Sequence, residues 1–139
     1  MLNKFDISIF IIRLALALTF IYHGSGILFD AFDGPGLIAF SHYMHFPLFI
    51  AFLVGLAEFC GGLSMLSGIL IRLGALAIMI VMIGAILIVH LPHGFDIQKG
   101  GMEYALTEFL MALSVFITQG GKIRVKFQNK FLNSFWNLS

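Results

Sequence analysis

Residues 73–89 (LGALAIMIVMIGAILIV) carry no charged and no strongly polar side chain. A membrane-spanning helix needs about 20 mostly apolar residues, and lipid leaves the backbone of an open sheet unsatisfied. This run therefore predicts a helix inside a bilayer. Of all 139 residues, 60% are hydrophobic and 11% are charged, and the mean hydropathy is +1.01. Soluble domains carry about 25% charged residues, so the rest of the chain is also expected to lie in a membrane.

Apolar segments recur along the chain and predict four membrane helices, at residues 7–29, 47–69, 72–91 and 102–118. The predicted fold is an all-α membrane protein, a four-transmembrane-helix bundle forming one domain over residues 1–121. A basic amphipathic cytoplasmic tail is predicted at 122–139. Arg13 interrupts the first apolar segment, and no cleavage site closes it, so we interpret it as an uncleaved helix rather than a signal peptide. Residues 37–46 (LIAFSHYMHF) predict a short interfacial segment.

The basic residues give the predicted bundle an orientation. Four spans place both termini at one end, and seven of the eight Lys and Arg residues fall at that end, with only Lys99 opposite. By the positive-inside rule, both termini are expected to be cytoplasmic. The net charge of +1, without a long basic stripe outside the tail, gives no case for binding nucleic acid. All five histidines then fall in the outer half or the outer loops.

Acids inside the predicted spans are candidates for function, because ionisable groups in a membrane are costly and usually face the bundle interior. Glu58 shares a helical stripe with Gly55 and Gly62, which predicts that it faces a closely packed neighbouring helix. Three interpretations stay open: a structural ion pair with Arg13, a carboxyl that handles protons or a ligand, and a buried neutral acid. Arg13 can also extend toward the headgroups. Glu108 is the second acid of this kind.

The polar insert at residues 89–105 (VHLPHGFDIQKGGMEYA) is expected to cap the outer end of the bundle. His90 and His93 have the spacing of a metal-binding pair, but Pro92 separates them and the chain offers no second such pair, so no metal site is predicted. Either histidine can instead hydrogen-bond a neighbouring acid or bind a quinone or another small polar headgroup. Gly100 and Gly101 precede the last helix, where free N–H groups favour an anion or a carbonyl oxygen, although a plain turn also accounts for them.

Estimated depth along each helix brings polar residues from all four spans into one outer half-bundle. We expect His23, His90 and Glu103 to contact a ligand there, and Glu58 and Glu108 to act as catalytic carboxyls that relay protons. Cys60 is the only cysteine, which excludes an intrachain disulfide and a dithiol redox pair.

The chain resembles the DoxX family of small four-helix membrane proteins. The resemblance is carried by RLALALTFIYHGSGILF at 13–29, LAEFCGGLSMLSGILIRLGAL at 56–76 and VHLPHGF…GGMEYAL at 89–106. One departure is Ile27, where the family commonly has a basic residue. Carried over by motif, the family's recurrent polar positions are Arg13, His23, Gly24, Glu58, Gly61, Gly62, Arg72, His90, Gly94, Gly101, Glu103 and Tyr104. On this basis Tyr104 and Gly101 join the expected ligand-binding residues.

The resemblance implies a multi-pass protein of the bacterial inner membrane, in a family named for a subunit of a thiosulfate:quinone oxidoreductase. The leading hypothesis is a membrane subunit of a quinone-linked redox complex. It needs a redox partner protein, because the sequence has no flavin or dinucleotide fingerprint; a homo-oligomer is also open. Quinone is the preferred cofactor, ahead of haem or a metal. The alternatives are a non-enzymatic scaffold or assembly factor and, below it, a small transporter.

Overall fold

The computed structural model describes residues 1–125, and its regular secondary structure in that range is all helical, with no strand. Helix α1 spans Lys4–Phe29, α2 Gly36–Met44, α3 Leu48–Ser67, α4 Ile71–Gly84 and α5 Glu103–Thr118. The predicted all-α class is confirmed. The predicted tail lies outside the described residues from position 126 onward.

Local sequence explains where these helices begin and end. Helix α1 begins earlier than predicted, because the Asn3 side chain accepts a hydrogen bond from the Asp6 backbone while the Asp6 carboxylate accepts one from the Asn3 backbone. This reciprocal cap satisfies two otherwise free donors. Helix α3 follows Pro47 and ends at Gly68, whose φ of 76° is accessible to glycine at little cost. The predicted interfacial segment is helix α2.

The end of α4 changes its winding. After Gly84 the chain continues as a π-helical turn, Ala85–His90, and then as a short 3-10 turn, Leu91–His93. Residues 91–102, called the cap below, connect this end to α5. Two backbone hydrogen bonds close the cap on itself, from Met102 N to Gly94 O at 2.9 Å and from Glu103 N to Phe95 O at 3.0 Å.

The four long helices pack in a ring in which α1 contacts α3, α3 contacts α4, α4 contacts α5, and α5 returns to α1. The buried core they enclose is apolar, and it includes Leu16, Phe20, Met65, Ile78, Ala112 and Val115. Helices α1 and α3 approach most closely at two glycines. A β-carbon at Gly62 would lie 2.7 Å from Ile21 N, and one at Gly24 would lie 2.7 Å from Phe59 Cα, so only glycine fits at either position.

Three helical segments are long and apolar enough to cross a membrane: Lys4–Phe29, Leu48–Ser67 and Ile71–His93. Large apolar side chains point outward along them, as expected of a surface that faces lipid; Leu18 is 66% exposed and Ile80 is 62% exposed. Helix α5 has 16 residues, which makes it about 24 Å long at 1.5 Å per residue. That is shorter than the roughly 30 Å hydrocarbon core of a bilayer.

Candidate functional site

Two carboxyl groups are buried in the apolar interior of the bundle. Glu58 of α3 is 8% exposed and Glu108 of α5 is 6% exposed, and the two lie within electrostatic range of each other. Each helix supplies one acid from a segment that is otherwise apolar around it. Burying two groups that carry the same charge close together is costly. The pair is therefore a candidate for function rather than for stability.

Glu58 is the more unusual member of the pair. Its Oε2 atom is fully buried and has no hydrogen-bond partner among residues 1–125. Buried polar atoms in proteins are almost always paired, and an unpaired one costs about 1–3 kcal/mol. An oxygen left in this state is available to a proton, a water molecule or a ligand group that donates a hydrogen bond.

Two hydroxyl groups complete the cluster and connect it to the surface. Thr19 of α1 and Tyr104 of α5 lie beside the Glu108 carboxyl, and their hydroxyl oxygens are 3.5 Å apart. Tyr104 is 50% exposed and belongs to the first turn of α5, next to the cap. The polar cluster, defined as Thr19, Glu58, Tyr104 and Glu108, therefore runs from the surface at the cap end to the core.

Backbone groups in and next to the cap hold the polar side chains at this end of the bundle. His90 Nδ1 lies 2.8 Å from Gly100 O, and His93 Nδ1 lies 2.9 Å from Val89 O. Glu103 Oε2 accepts a hydrogen bond from Ile97 N at 3.2 Å. Each of these side chains thus has a structural partner close by in sequence, and none of these hydrogen bonds joins the cap to the polar cluster.

Gly101 and His23 occupy different surroundings. Gly101 is buried, and a β-carbon there would meet Gly94 O at 2.6 Å, so the residue allows the cap to fold tightly. His23 is exposed and packs edge-on against Tyr22, with ring centroids 5.3 Å apart. The structure thus joins Glu58, Glu108 and Tyr104 from the predicted set, and it places His23, His90, Glu103 and Gly101 elsewhere at the same end of the bundle.

Arg13 does not form the predicted ion pair with Glu58 in the described structure. Its side chain is completely buried and points away from the polar cluster, toward the turn after α3. Nε donates to Met65 O at 2.9 Å, one Nη donates to Gly120 O at 3.0 Å and to Ile123 O, and the other lies 3.5 Å from Leu66 O. Met65 is two turns beyond Glu58 along α3, so reaching these carbonyls takes the guanidinium away from the acid.

Helix dipoles account for a buried cation that hydrogen-bonds only backbone carbonyls here. The last carbonyls of a helix carry about half a negative charge, and Arg13 binds those at the end of α3 together with those just after α5. Asp6 holds the same region from the other side, because its carboxylate accepts a hydrogen bond from Lys122 N at 3.1 Å. These contacts close the end of the bundle opposite the cap.

Sequence reasoning missed Thr19 and Asp6. Thr19 is a lone hydroxyl in an apolar helix and lies one turn before His23 on the same stripe, which is a usable signal because membrane helices use Thr for contacts between helices. Asp6 lies just before the predicted first span, which begins at residue 7. Its burial comes from the segment after α5, where Lys122 N donates to its carboxylate at 3.1 Å, and sequence alone does not reveal that contact.

A ring of long apolar helices with a few buried polar groups defines a helical membrane protein. Comparison with known proteins agrees: the family model DoxX matches residues 8–91, which is more than half of the chain. The protein belongs to the DoxX family, as the resemblance predicted. The match contains Thr19 and Glu58 but ends before α5, which carries Tyr104 and Glu108. Neither the curated proteins nor the solved structures gave a match.

Proposed function

We propose that this DoxX protein is a membrane subunit of a quinone-linked redox complex and that the polar cluster is its ligand site. We place the protein in the bacterial inner membrane with four spans and both termini in the cytoplasm. Charge supports this orientation: Lys4, Arg13, Arg72, Lys122 and Arg124 occur at or near the end opposite the cap, and Lys99 is in the cap. Helix α5, although short, packs against α1 and α4 in the ring, which supports its role as the fourth span.

The observation that carries the proposal is the buried, unpartnered Oε2 of Glu58. Its neighbour Glu108 lies beside the hydroxyls of Thr19 and Tyr104. A quinone headgroup presents carbonyl oxygens that accept hydrogen bonds, and its reduced form presents hydroxyls that donate them. Hydroxyls of Thr and Tyr suit the first form, and a carboxylate oxygen suits the second. The donor and acceptor types in the cluster therefore fit both redox forms of a quinone.

The different exposure of Tyr104 and the two glutamates supports different roles for them. Tyr104 is half exposed, so a headgroup that arrives through the lipid can contact it first. Glu108 and Glu58 lie behind it and are buried, which suits carboxyls that hydrogen-bond the reduced headgroup and also accept or deliver protons. A bound quinone would supply two-electron redox chemistry, and the electrons would come from or go to a partner protein.

In this proposal the cap and the residues that flank it position the ligand site rather than bind the ligand directly. His90 and Glu103 are held by the cap backbone, and Gly101 allows the close turn that brings the cap to the start of α5. They would shape the rim through which a headgroup approaches Tyr104. His23, exposed on α1 at the same end, would be an outer polar contact.

The test is binding of a short-chain quinone to the protein in lipid nanodiscs, measured by calorimetry. We expect Tyr104→Phe and Glu108→Gln each to weaken binding about 10-fold, since a lost hydrogen bond to a charged or polar partner is worth roughly 1–2 kcal/mol. Tyr43→Phe is the matched control, because Tyr43 is 78% exposed on α2, apart from the cluster. Equal binding by all four proteins, or no binding by the unmodified protein, contradicts the proposal.

The scaffold hypothesis has its own support, since buried Arg13 ties together α1, the end of α3 and the segment after α5. A scaffold needs such ties, but it has no use for an unpaired buried carboxyl. The two hypotheses separate on Glu58→Gln: a scaffold keeps its partner interactions, whereas a redox subunit loses quinone-dependent turnover in the assembled complex.

A further inference from the structure

The bundle interior differs in polarity on the two sides of Glu58. Toward the end opposite the cap, the layer between Glu58 and Arg13 contains apolar side chains with almost no exposure: Leu16 is 1% exposed, and Met65 and Val115 are 0% exposed. Ala75 and Ala112 belong to the same cluster and are also fully buried. None of these five side chains can carry a proton. The buried hydroxyl that α3 supplies on this side of Glu58, Ser64, donates to Ile69 O at 2.6 Å and lies against Gly74 of α4.

Arg13 adds an electrostatic barrier below the apolar layer. Its guanidinium is fully buried and fixed by the carbonyls of Met65, Gly120 and Ile123, so it cannot move aside without breaking those hydrogen bonds. A fixed positive charge in a low-dielectric interior repels a proton strongly. Pores that exclude protons use a fixed arginine or helix dipoles in this way.

Toward the cap, polar groups continue from the core to the surface. Glu108 lies one helical turn from Tyr104, and Thr19 contributes a second hydroxyl at the same level. Tyr104 is 50% exposed. Carboxyl and hydroxyl groups can pass a proton along such a series, with water completing any gap.

The charged and titratable groups around the pair are few. Helix α5 supplies Glu108 and Tyr104, and α1 supplies His23 one turn from Thr19 on the cap side. The only charged residue of α4 is Arg72, which sits at the opposite end and stacks on Phe116 at 4.9 Å. His90, Lys99 and Glu103 also lie at the cap end, where His90 contacts Gly100 O and Glu103 accepts a hydrogen bond from Ile97 N.

We propose that the Glu58–Glu108 pair exchanges protons only with the cap end of the bundle, and that the apolar layer with Arg13 blocks exchange with the other end. This one-sided access holds whatever ligand the polar cluster binds, so it does not rest on quinone chemistry. If the cap end faces outward, protons taken from a ligand at the cluster leave on the non-cytoplasmic side.

The experiment uses proteoliposomes and dicyclohexylcarbodiimide, a reagent that modifies carboxyl groups in apolar surroundings only when they are protonated. The pH on one side of the membrane is changed while the other side is clamped, and modification of each glutamate is followed by mass spectrometry. Orientation is read from Lys99→Cys, in a Cys60→Ser background, with an impermeant maleimide. We expect the labelling rate to fall up to about tenfold per pH unit as the cap-side pH rises, and to be unchanged by the pH on the Arg13 side.

Two variants sharpen the result. Tyr104→Phe removes a surface hydroxyl and should slow the response to cap-side pH without reversing its side. Arg13→Gln removes the fixed charge but keeps the apolar layer, so labelling should gain a response to the pH on that side that is slower than the response to cap-side pH. The sidedness of the unmodified protein remains the decisive measurement if this variant fails to fold. Labelling that follows the Arg13-side pH, follows both sides equally, or never reaches either glutamate overturns the proposal.

Discussion

Replacing Glu58 by methionine should stabilise the protein. The substitution removes an oxygen that is buried and has no hydrogen-bond partner in the described structure, and it removes the unfavourable approach of a second carboxyl, Glu108. Methionine is similar in length and adapts to irregular apolar surroundings. The same change would destabilise the protein if Glu58 were half of a structural ion pair.

The magnitude follows from the state of this one atom. An unsatisfied buried polar group costs about 1–3 kcal/mol, so Glu58→Met should raise the free energy of unfolding by about 1–3 kcal/mol. Breaking a buried ion pair instead costs about 3–5 kcal/mol. The two expectations differ in sign and are separated by at least roughly 4 kcal/mol, well beyond the error of an equilibrium measurement.

The assay is equilibrium unfolding in mixed micelles, followed by circular dichroism as a denaturing detergent is added. Leu63→Met is the matched control, since Leu63 is 42% exposed on the lipid-facing side of the same helix, and it should be nearly neutral. A loss of more than 1 kcal/mol for Glu58→Met, with the control unchanged, would refute the conclusion that Glu58 is held at a cost to stability.

Three further substitutions test other parts of the structure. Arg13→Met removes three hydrogen bonds to carbonyls, two of them buried, and should lower the free energy of unfolding by roughly 4.5 kcal/mol at about 1.5 kcal/mol each; a loss under 1 kcal/mol in the same unfolding assay would show that water replaces the guanidinium. Gly62→Ala places a β-carbon 2.7 Å from Ile21 N and should cost about 1–3 kcal/mol. Gly84→Ala is its control, because a β-carbon at Gly84 meets nothing within 4 Å and alanine favours a helix by up to about 1 kcal/mol; equal losses for the two glycines would contradict the close approach of α1 to α3. Gly101→Ala should loosen the cap, seen as faster amide exchange at Met102 and Glu103, whose N–H groups bond Gly94 and Phe95, and unchanged exchange there would count against this packing.

Much of the fold could be predicted from the sequence because the bilayer makes strict demands on it. The apolar runs give the helices to within a few residues, and Pro47 and Gly68 mark the ends of α3. The three sequence segments that contain Arg13, Glu58 and His90 carry the resemblance to the DoxX family. The burial of Glu58 also follows from sequence, since its neighbours Gly55 and Gly62 are small and buried on the same stripe.

Which polar residues meet each other was decided only by the tertiary structure. The helices are apolar on nearly every face, so their sequences carry no amphipathic period that would show which face points inward. The depth of a residue along its helix can be counted, but its rotation about the helix axis and the crossing of its neighbours cannot. Depth alone grouped His23, His90, Glu103 and Glu108 with Glu58. The rotation of the helices brings Glu108 to Glu58 and Thr19 to Glu108, and it places the other three residues elsewhere.

Arg13 shows the same division between sequence and structure. Its sequence position indicates a cation inside a membrane helix, for which a carboxylate is the obvious partner. The folded chain instead brings it two helix ends whose free carbonyls supply the negative charge. These partners are backbone carbonyls, and they reach Arg13 only because α3 and α5 end beside α1. The identity of the side chains in the sequence therefore could not predict them.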